Sequence, residues 1–157
     1  LETVISENIS IIAEDLGIIT PEVIALKNKF SLPGMKVLQF DRDIYEQNLI
    51  VYTGTHDNDT IIGWFKGLSP KYQKRIIKYL KVGNHDNINW DIIDLAYQTN
   101  AKDVIIPFQD FLGLDNNARM NIPGEINDNW TYRVLDQDFN HFLANKIYYL
   151  TEKNNRI

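Results

Sequence analysis

Cysteine is absent from the 157-residue sequence. That excludes disulfides and thiolate metal sites, and it fits a cytoplasmic protein. The formal net charge is −5, so neither nucleic acid nor an anionic membrane is an expected partner. No apolar run approaches the roughly 20 residues that span a bilayer. Phosphate-cradling glycine motifs and the G-x-S-x-G nucleophile turn are missing too. His56, His85 and His141 show no paired ligand spacing. Asp57-Asn58-Asp59 fails as a calcium loop, with Ile62 in place of the sixth-position glycine and Leu68 in place of the twelfth-position glutamate. No metal or cofactor is expected.

What is present suits a packed domain. Hydrophobic residues make up 44% of the chain, enough for one real core and too many for a disordered segment. The sequence opens on Leu1, with Val4, Ile5 and Ile9 already on one helical face. It reads as the inside of a helix, and therefore as part of a longer chain.

Short apolar runs then alternate with amphipathic ones. Ser10-Ile11-Ile12-Ala13, Met35-Lys36-Val37-Leu38-Gln39-Phe40, Leu49-Ile50-Val51-Tyr52 and Asp103-Val104-Ile105-Ile106-Pro107 read as buried strands. Thr20-Pro21-Glu22 opens a helix through Phe30, and Asp59 or Thr60 caps one through Phe65. Ser69-Pro70 starts a third, Asn89 caps a fourth, and an amphipathic helix from about Asp138 carries Phe139, Phe142, Leu143, Ile147 and Leu150. Residues 41–48 read as a polar loop. Strand and helix in alternation point to a parallel α/β sheet. Four such strands are about half of an eight-stranded barrel, with a free-standing doubly wound domain as the rival. All 157 residues are assigned to one domain.

Polar groups gather where these strands end: Glu14 and Asp15, Gln39, His56 and Asp57, Gln109 and Asp110. In a parallel barrel such ends share one face and can surround one pocket. Two facing carboxylates such as Glu14 and Asp57 meet the needs of glycoside chemistry, in which one protonates the leaving oxygen and the other attacks or steadies the sugar carbon. His56 would hold sugar hydroxyls, and Phe40 or Trp64 would supply an apolar platform. Helix capping and turn formation explain Glu14, Asp15 and Asp59 residue by residue about as well.

Longer motifs separate these readings. Ala13-Glu14-Asp15-Leu16-Gly17, Leu32-Pro33-Gly34-Met35-Lys36-Val37-Leu38-Gln39-Phe40 and Tyr52-Thr53-Gly54-Thr55-His56-Asp57-Asn58-Asp59-Thr60 closely resemble the amylomaltase (4-α-glucanotransferase, disproportionating enzyme) family of the α-amylase clan. Pro107-Phe108-Gln109-Asp110, Ala118-Arg119-Met120-Asn121-Ile122-Pro123-Gly124 and Asn129-Trp130 extend the likeness in the same order. The resemblance implies the C-terminal half, about strands 5–8, of a (β/α)8 TIM barrel. It implies retaining transfer of α-1,4-glucan segments between maltodextrins, with donor and acceptor glucans as partners and no cofactor. By position, Glu14 is then the general acid/base and Asp57 the transition-state stabiliser. His56, Phe40, Asn121, Asp15 and Gln39 become substrate-binding residues.

The resemblance also implies that the attacking aspartate lies in an Arg-x-Asp-type motif before Glu14, where only Glu2 and Glu7 occur. The N-terminal half of the same barrel is therefore an expected partner, and the chain by itself is expected to be inactive. The family usually carries a longer loop where residues 41–48 stand. Two other functions compete: an amylase-type hydrolase, in which water resolves the glycosyl-enzyme, and a non-catalytic glucan-binding remnant.

Overall fold

The structure is a computed structural model that describes residues 9–41, 44, 46–83 and 86–157. Three parallel strands, β1 (Gly34–Val37), β2 (Leu49–Tyr52) and β3 (Asp103–Ile105), lie in the order β1-β2-β3. Met35 pairs with Ile50 and Ile50 with Asp103; Val37 pairs with Tyr52 and Tyr52 with Ile105. The helices are α1 (Pro21–Lys29), α2 (Ile61–Gly67), α3 (Pro70–Leu80), α4 (Ile88–Tyr97), α5 (Phe108–Leu112) and α6 (His141–Lys153). Single 3-10 turns fall at Asn116–Ala118 and Asp136–Asp138.

Strand periodicity sorts the side chains onto two faces. Leu49, Val51 and Val104 face the helices, where they meet Ile61 and Phe65 of α2 and Ile88, Ile92, Ile93 and Ala96 of α4. Each fully buried Leu, Ile, Val or Phe side chain here contributes about 1.5–3 kcal/mol by leaving water, so this seam holds the chain together. Met35, Tyr52 and Ile105 occupy the other face and line an open cleft. That face is only partly covered: Ile105 and Ile12 are exposed. α1 buries none of its residues.

Several expectations change. Residues 10–13 are not a strand; they run irregularly beside β1, where Ala13 N donates to Pro33 O at 2.8 Å. A ladder needs repeated pairing, and apolar composition alone does not supply it. β1 stops at Val37 because Phe40 and Asp41 both donate backward to the Val37 carbonyl, turning the chain at 38–40. α4 starts at Ile88 with Asn87 at the cap position, and Asn89 is buried inside it. The last helix starts at His141, where the Asn140 side chain accepts from Leu143 N; Phe139 and Phe142 stay exposed. Ile44, read as part of a polar loop, is a buried member of the core. The expected helix at the start of the chain falls at residues 1–8, and His85 at 85; both lie outside the described residues, as do 42, 43 and 45 of the loop.

One glycine fixes a long-range approach. A Cβ at Gly63 in α2 would overlap the Asn116 side chain, so its absence lets the Asn116–Ala118 turn settle against α2. That turn delivers Arg119 to the loop above the sheet.

Candidate functional site

The cleft lies at the C-terminal ends of the strands, where loops in parallel α/β architectures carry chemistry. It has a volume of about 490 Å³, and Glu14, Tyr52, His56, Asp57 and Met120 are among its walls. The two carboxylates expected to act together therefore face one space. Glu14 arrives from the irregular segment after Ala13, while His56 and Asp57 sit on the loop between β2 and α2. The Tyr52 phenol is pushed above its ordinary value by burial and then by the negative charge of Glu14, the two side chains lining the same cleft.

Asp57 is held from several sides. Asn121 Nδ2 donates to Asp57 Oδ1 at 2.6 Å, and His56 Nε2 lies 3.3 Å from the same oxygen. Arg119 does more than any residue singled out from the sequence. Its guanidinium pairs with Asp59, donates to the Asp57 carbonyl at 2.8 Å and donates to the Asn121 carbonyl at 3.2 Å. One planar, permanently charged fork thus fixes both the loop carrying Asp57 and the segment carrying Asn121. Trp130 closes the edge, its ring 5.3 Å from that of His56. Its backbone has φ 63° and donates to the Met120 carbonyl at 2.6 Å.

The loop's own sequence shapes it. Asn58 Oδ1 accepts from Thr55 N at 2.7 Å and from Thr55 Oγ1 at 2.8 Å, which closes the turn over 55–58. Thr60 then caps α2 by accepting from Gly63 N at 3.1 Å. Both ends of the loop meet Asp110, which is 1% exposed: Thr53 Oγ1 donates to its Oδ2 at 2.7 Å and Ile61 N to its Oδ1 at 2.8 Å. Burial pushes the Asp110 carboxyl up to about 6, against the lowering effect of those two donors.

The remaining expected site residues are placed elsewhere. Asp15 turns from the cleft toward β1 and α1, accepting from Met35 N at 2.7 Å and pairing with Lys27 at 2.6 Å. Burial raises its carboxyl, but the Lys27 hydrogen bond, the Met35 amide and the Lys27 charge together hold it below the usual range. Gln39 is buried and donates to the carbonyls of Thr53, at 3.1 Å, and Asp59, at 2.7 Å; it braces the loop from beneath. Phe40 is exposed and borders a separate groove against α3 and α4. Trp64 packs against the core. Glu14, His56, Asp57 and Asn121 are brought together, with Gln39 as a support; Asp15 and Phe40 are not among the groups that line the cleft or hold Asp57. Arg119 and Trp130 were missed as site residues, although each lies in a motif already recognised; Asp110, expected among the groups around the pocket, is instead buried beneath the loop.

Comparison with known proteins gives the same region of one family. The sequence profile described as 4-alpha-glucanotransferase matches residues 1–138. A 4-alpha-glucanotransferase of Synechocystis is 42% identical, covering 94% of this chain and 32% of that protein. The chloroplastic/amyloplastic 4-alpha-glucanotransferase of Arabidopsis thaliana is 43% identical over 80% of this chain and 24% of its own length. Among solved structures, the amylomaltase from Streptococcus agalactiae in complex with acarbose superposes with a TM-score of 0.87 at 28% identity, covering 98% of this chain and 34% of that one. The chain thus spans about a third of the length of the relatives it matches, and its sheet and helices are part of a larger α/β barrel.

Proposed function

The chain belongs to the 4-alpha-glucanotransferase family, and from that premise we propose that it supplies the acid/base and charge-stabilising side of a retaining α-1,4-glucan transfer site in the complete protein. The observation that carries this reading is the convergence of Glu14, His56 and Asp57 on one cleft, with Asn121 bonded to Asp57.

In this reading Glu14 protonates the glycosidic oxygen of the leaving glucan segment while a carboxylate from outside these 157 residues attacks the anomeric carbon. The C–O bond to the leaving segment breaks, a glycosyl ester forms, and Glu14 is left ionised. An acceptor glucan then enters; Glu14 takes the proton from its 4-hydroxyl, that oxygen attacks the anomeric carbon of the glycosyl ester, and the bond from that carbon to the attacking carboxylate breaks, releasing the carboxylate. One α-1,4 bond is broken and one made. Asp57, held by Asn121 and the Arg119 fork, is fixed where positive charge develops on the sugar ring, and a carboxylate fixed in advance needs no reorganisation during the reaction. His56 and Trp130 form the sugar-binding edge of the cleft. The 157 residues act as one piece of a single catalytic barrel, and the chain in isolation is inactive. A cytoplasmic location is part of the proposal, supported by the absence of cysteine.

The test uses the complete protein with maltotriose. Transfer yields a ladder of shorter and longer maltodextrins, and Glu14→Gln and Asp57→Asn each lower its rate by about a hundredfold or more. A rise in reducing ends without longer products would assign the site to hydrolysis instead, and glucan binding without turnover would leave only a binding role.

A further inference from the structure

We propose that Asp110 is the positioning residue for Asp57, bracketing both ends of the loop 53–61 from a separate part of the chain; this rests on the proposed role of Asp57 in glucan transfer. The argument is geometric. The two carboxylate oxygens of Asp110 go to opposite ends of one loop, Oδ2 to the Thr53 hydroxyl at 2.7 Å and Oδ1 to the Ile61 amide at 2.8 Å. The residue's own backbone is tied down by Asn89, whose Nδ2 donates to the Asp110 carbonyl at 2.8 Å from inside α4. Thr53 and Asp110 are buried, so both bonds are shielded from water. A bracket anchored in the core thus sets the span that Gly54-Thr55-His56-Asp57 must bridge.

A helix-capping role alone does not account for this arrangement. Thr60 already caps α2 through Gly63 N, and a cap needs no second arm to Thr53. Gln39 supports the same loop from below, donating to the Thr53 and Asp59 carbonyls, but those bonds end on backbone oxygens and leave the Thr53 hydroxyl and the Ile61 amide to Asp110. Losing the carboxylate leaves a buried amide and a buried hydroxyl without partners, and the loop is free to shift by the fraction of an ångström that transition-state stabilisation does not tolerate.

The experiment compares Asp110→Ala, Asp110→Asn and Thr53→Val in the complete protein, reading amide hydrogen exchange of peptides covering 54–60 and maltotriose transfer. Asp110→Ala speeds exchange in that segment and lowers kcat by about tenfold to a hundredfold with KM changed by less than about threefold. Asp110→Asn restores both, because its amide offers an oxygen to Ile61 N and an NH2 to the Thr53 hydroxyl. Thr53→Val, which removes one arm without changing volume, gives a smaller shift of the same kind and keeps the test decisive where Asp110→Ala does not fold. Unchanged exchange at 54–60 in the folded variants, or an Asp110→Asn protein as impaired as Asp110→Ala, overturns the proposal. If the wild-type protein makes no maltodextrin ladder, the transfer reading fails, and the exchange data still decide whether Asp110 brackets the loop.

Discussion

Asp110→Asn should stabilise the complete protein, and only above about pH 4. The carboxyl is raised from 3.8 to about 6, chiefly by burial. Below 3.8 it is protonated whether the chain is folded or not and has no effect on the balance. As pH rises from 3.8 to 6 the unfolded chain gives up this proton while the folded protein keeps it, so stability falls with pH. Above 6 both forms are ionised and the full difference is present. Two pKa units at about 1.4 kcal/mol each make that difference roughly 3 kcal/mol. Asparagine keeps both loop contacts and cannot ionise, so the variant lacks the loss. The assay is urea unfolding of wild type and variant at pH 4, 5, 6 and 7, where other titrations cancel in the comparison. The variant's midpoint advantage should grow from near zero at pH 4 to a plateau by pH 7 equal to that difference of roughly 3 kcal/mol divided by the measured m-value. A flat difference across that range would refute the claim that Asp110 carries a buried ionisation.

Two further outcomes follow from the neighbouring groups. Asp15 is held below 3.8, so its contribution is complete above that value and lost as pH falls through the lower folded one; wild type should lead Asp15→Asn in urea midpoint at pH 5 and that lead should shrink as pH falls below 3.8, and an unchanged lead would remove Lys27 as the cause. Trp130→Ala, by deleting the ring beside His56, should raise KM for maltotriose about twofold to tenfold with kcat less affected, as expected for one aromatic contact of about 0.5–1.5 kcal/mol; a selective loss of kcat would instead place Trp130 in the chemical step.

Legibility in the sequence followed the range of the interactions. Leu49-Ile50-Val51-Tyr52 is a central strand whose neighbours on both sides demand apolar residues, and its limits were readable from composition. Ser69-Pro70 as a helix start depends on residues within one turn and was equally plain, while the cap of α2 was narrowed to Asp59 or Thr60 and the structure gives Thr60. Residues 10–13 misled because an apolar run reports burial against something, not pairing with a strand inside the same chain. Asn89 looked like a cap and is a buried bond donor to the Asp110 carbonyl, a distinction that depends on residues 21 positions away. The site divides the same way. Glu14, His56, Asp57 and Asn121 were visible as members of family motifs. Arg119 and Asp110 act on residues 49 to 62 positions away, and no local pattern announces such a partner. Asp15 carried a site motif but was claimed by Lys27 and Met35, whose competing pull appears only once β1 and α1 are packed.

The remote anchoring of the Asp57 loop also sets when the site can exist during synthesis. Asp57 leaves the ribosome with the Gln39 brace of its loop already made but with three other anchors still to come: Asp110, Arg119 and Asn121 lie 53 (110 − 57), 62 and 64 residues further on. At about 5–20 residues per second, several seconds pass before the last of them is translated. β1 and β2 can pair in that interval, since their contacts are close in sequence, but the cleft wall cannot be set. Completion of this cleft wall in a nascent chain is therefore a late event, gated by the arrival of residues 108–121 and not by the appearance of the acidic group they hold.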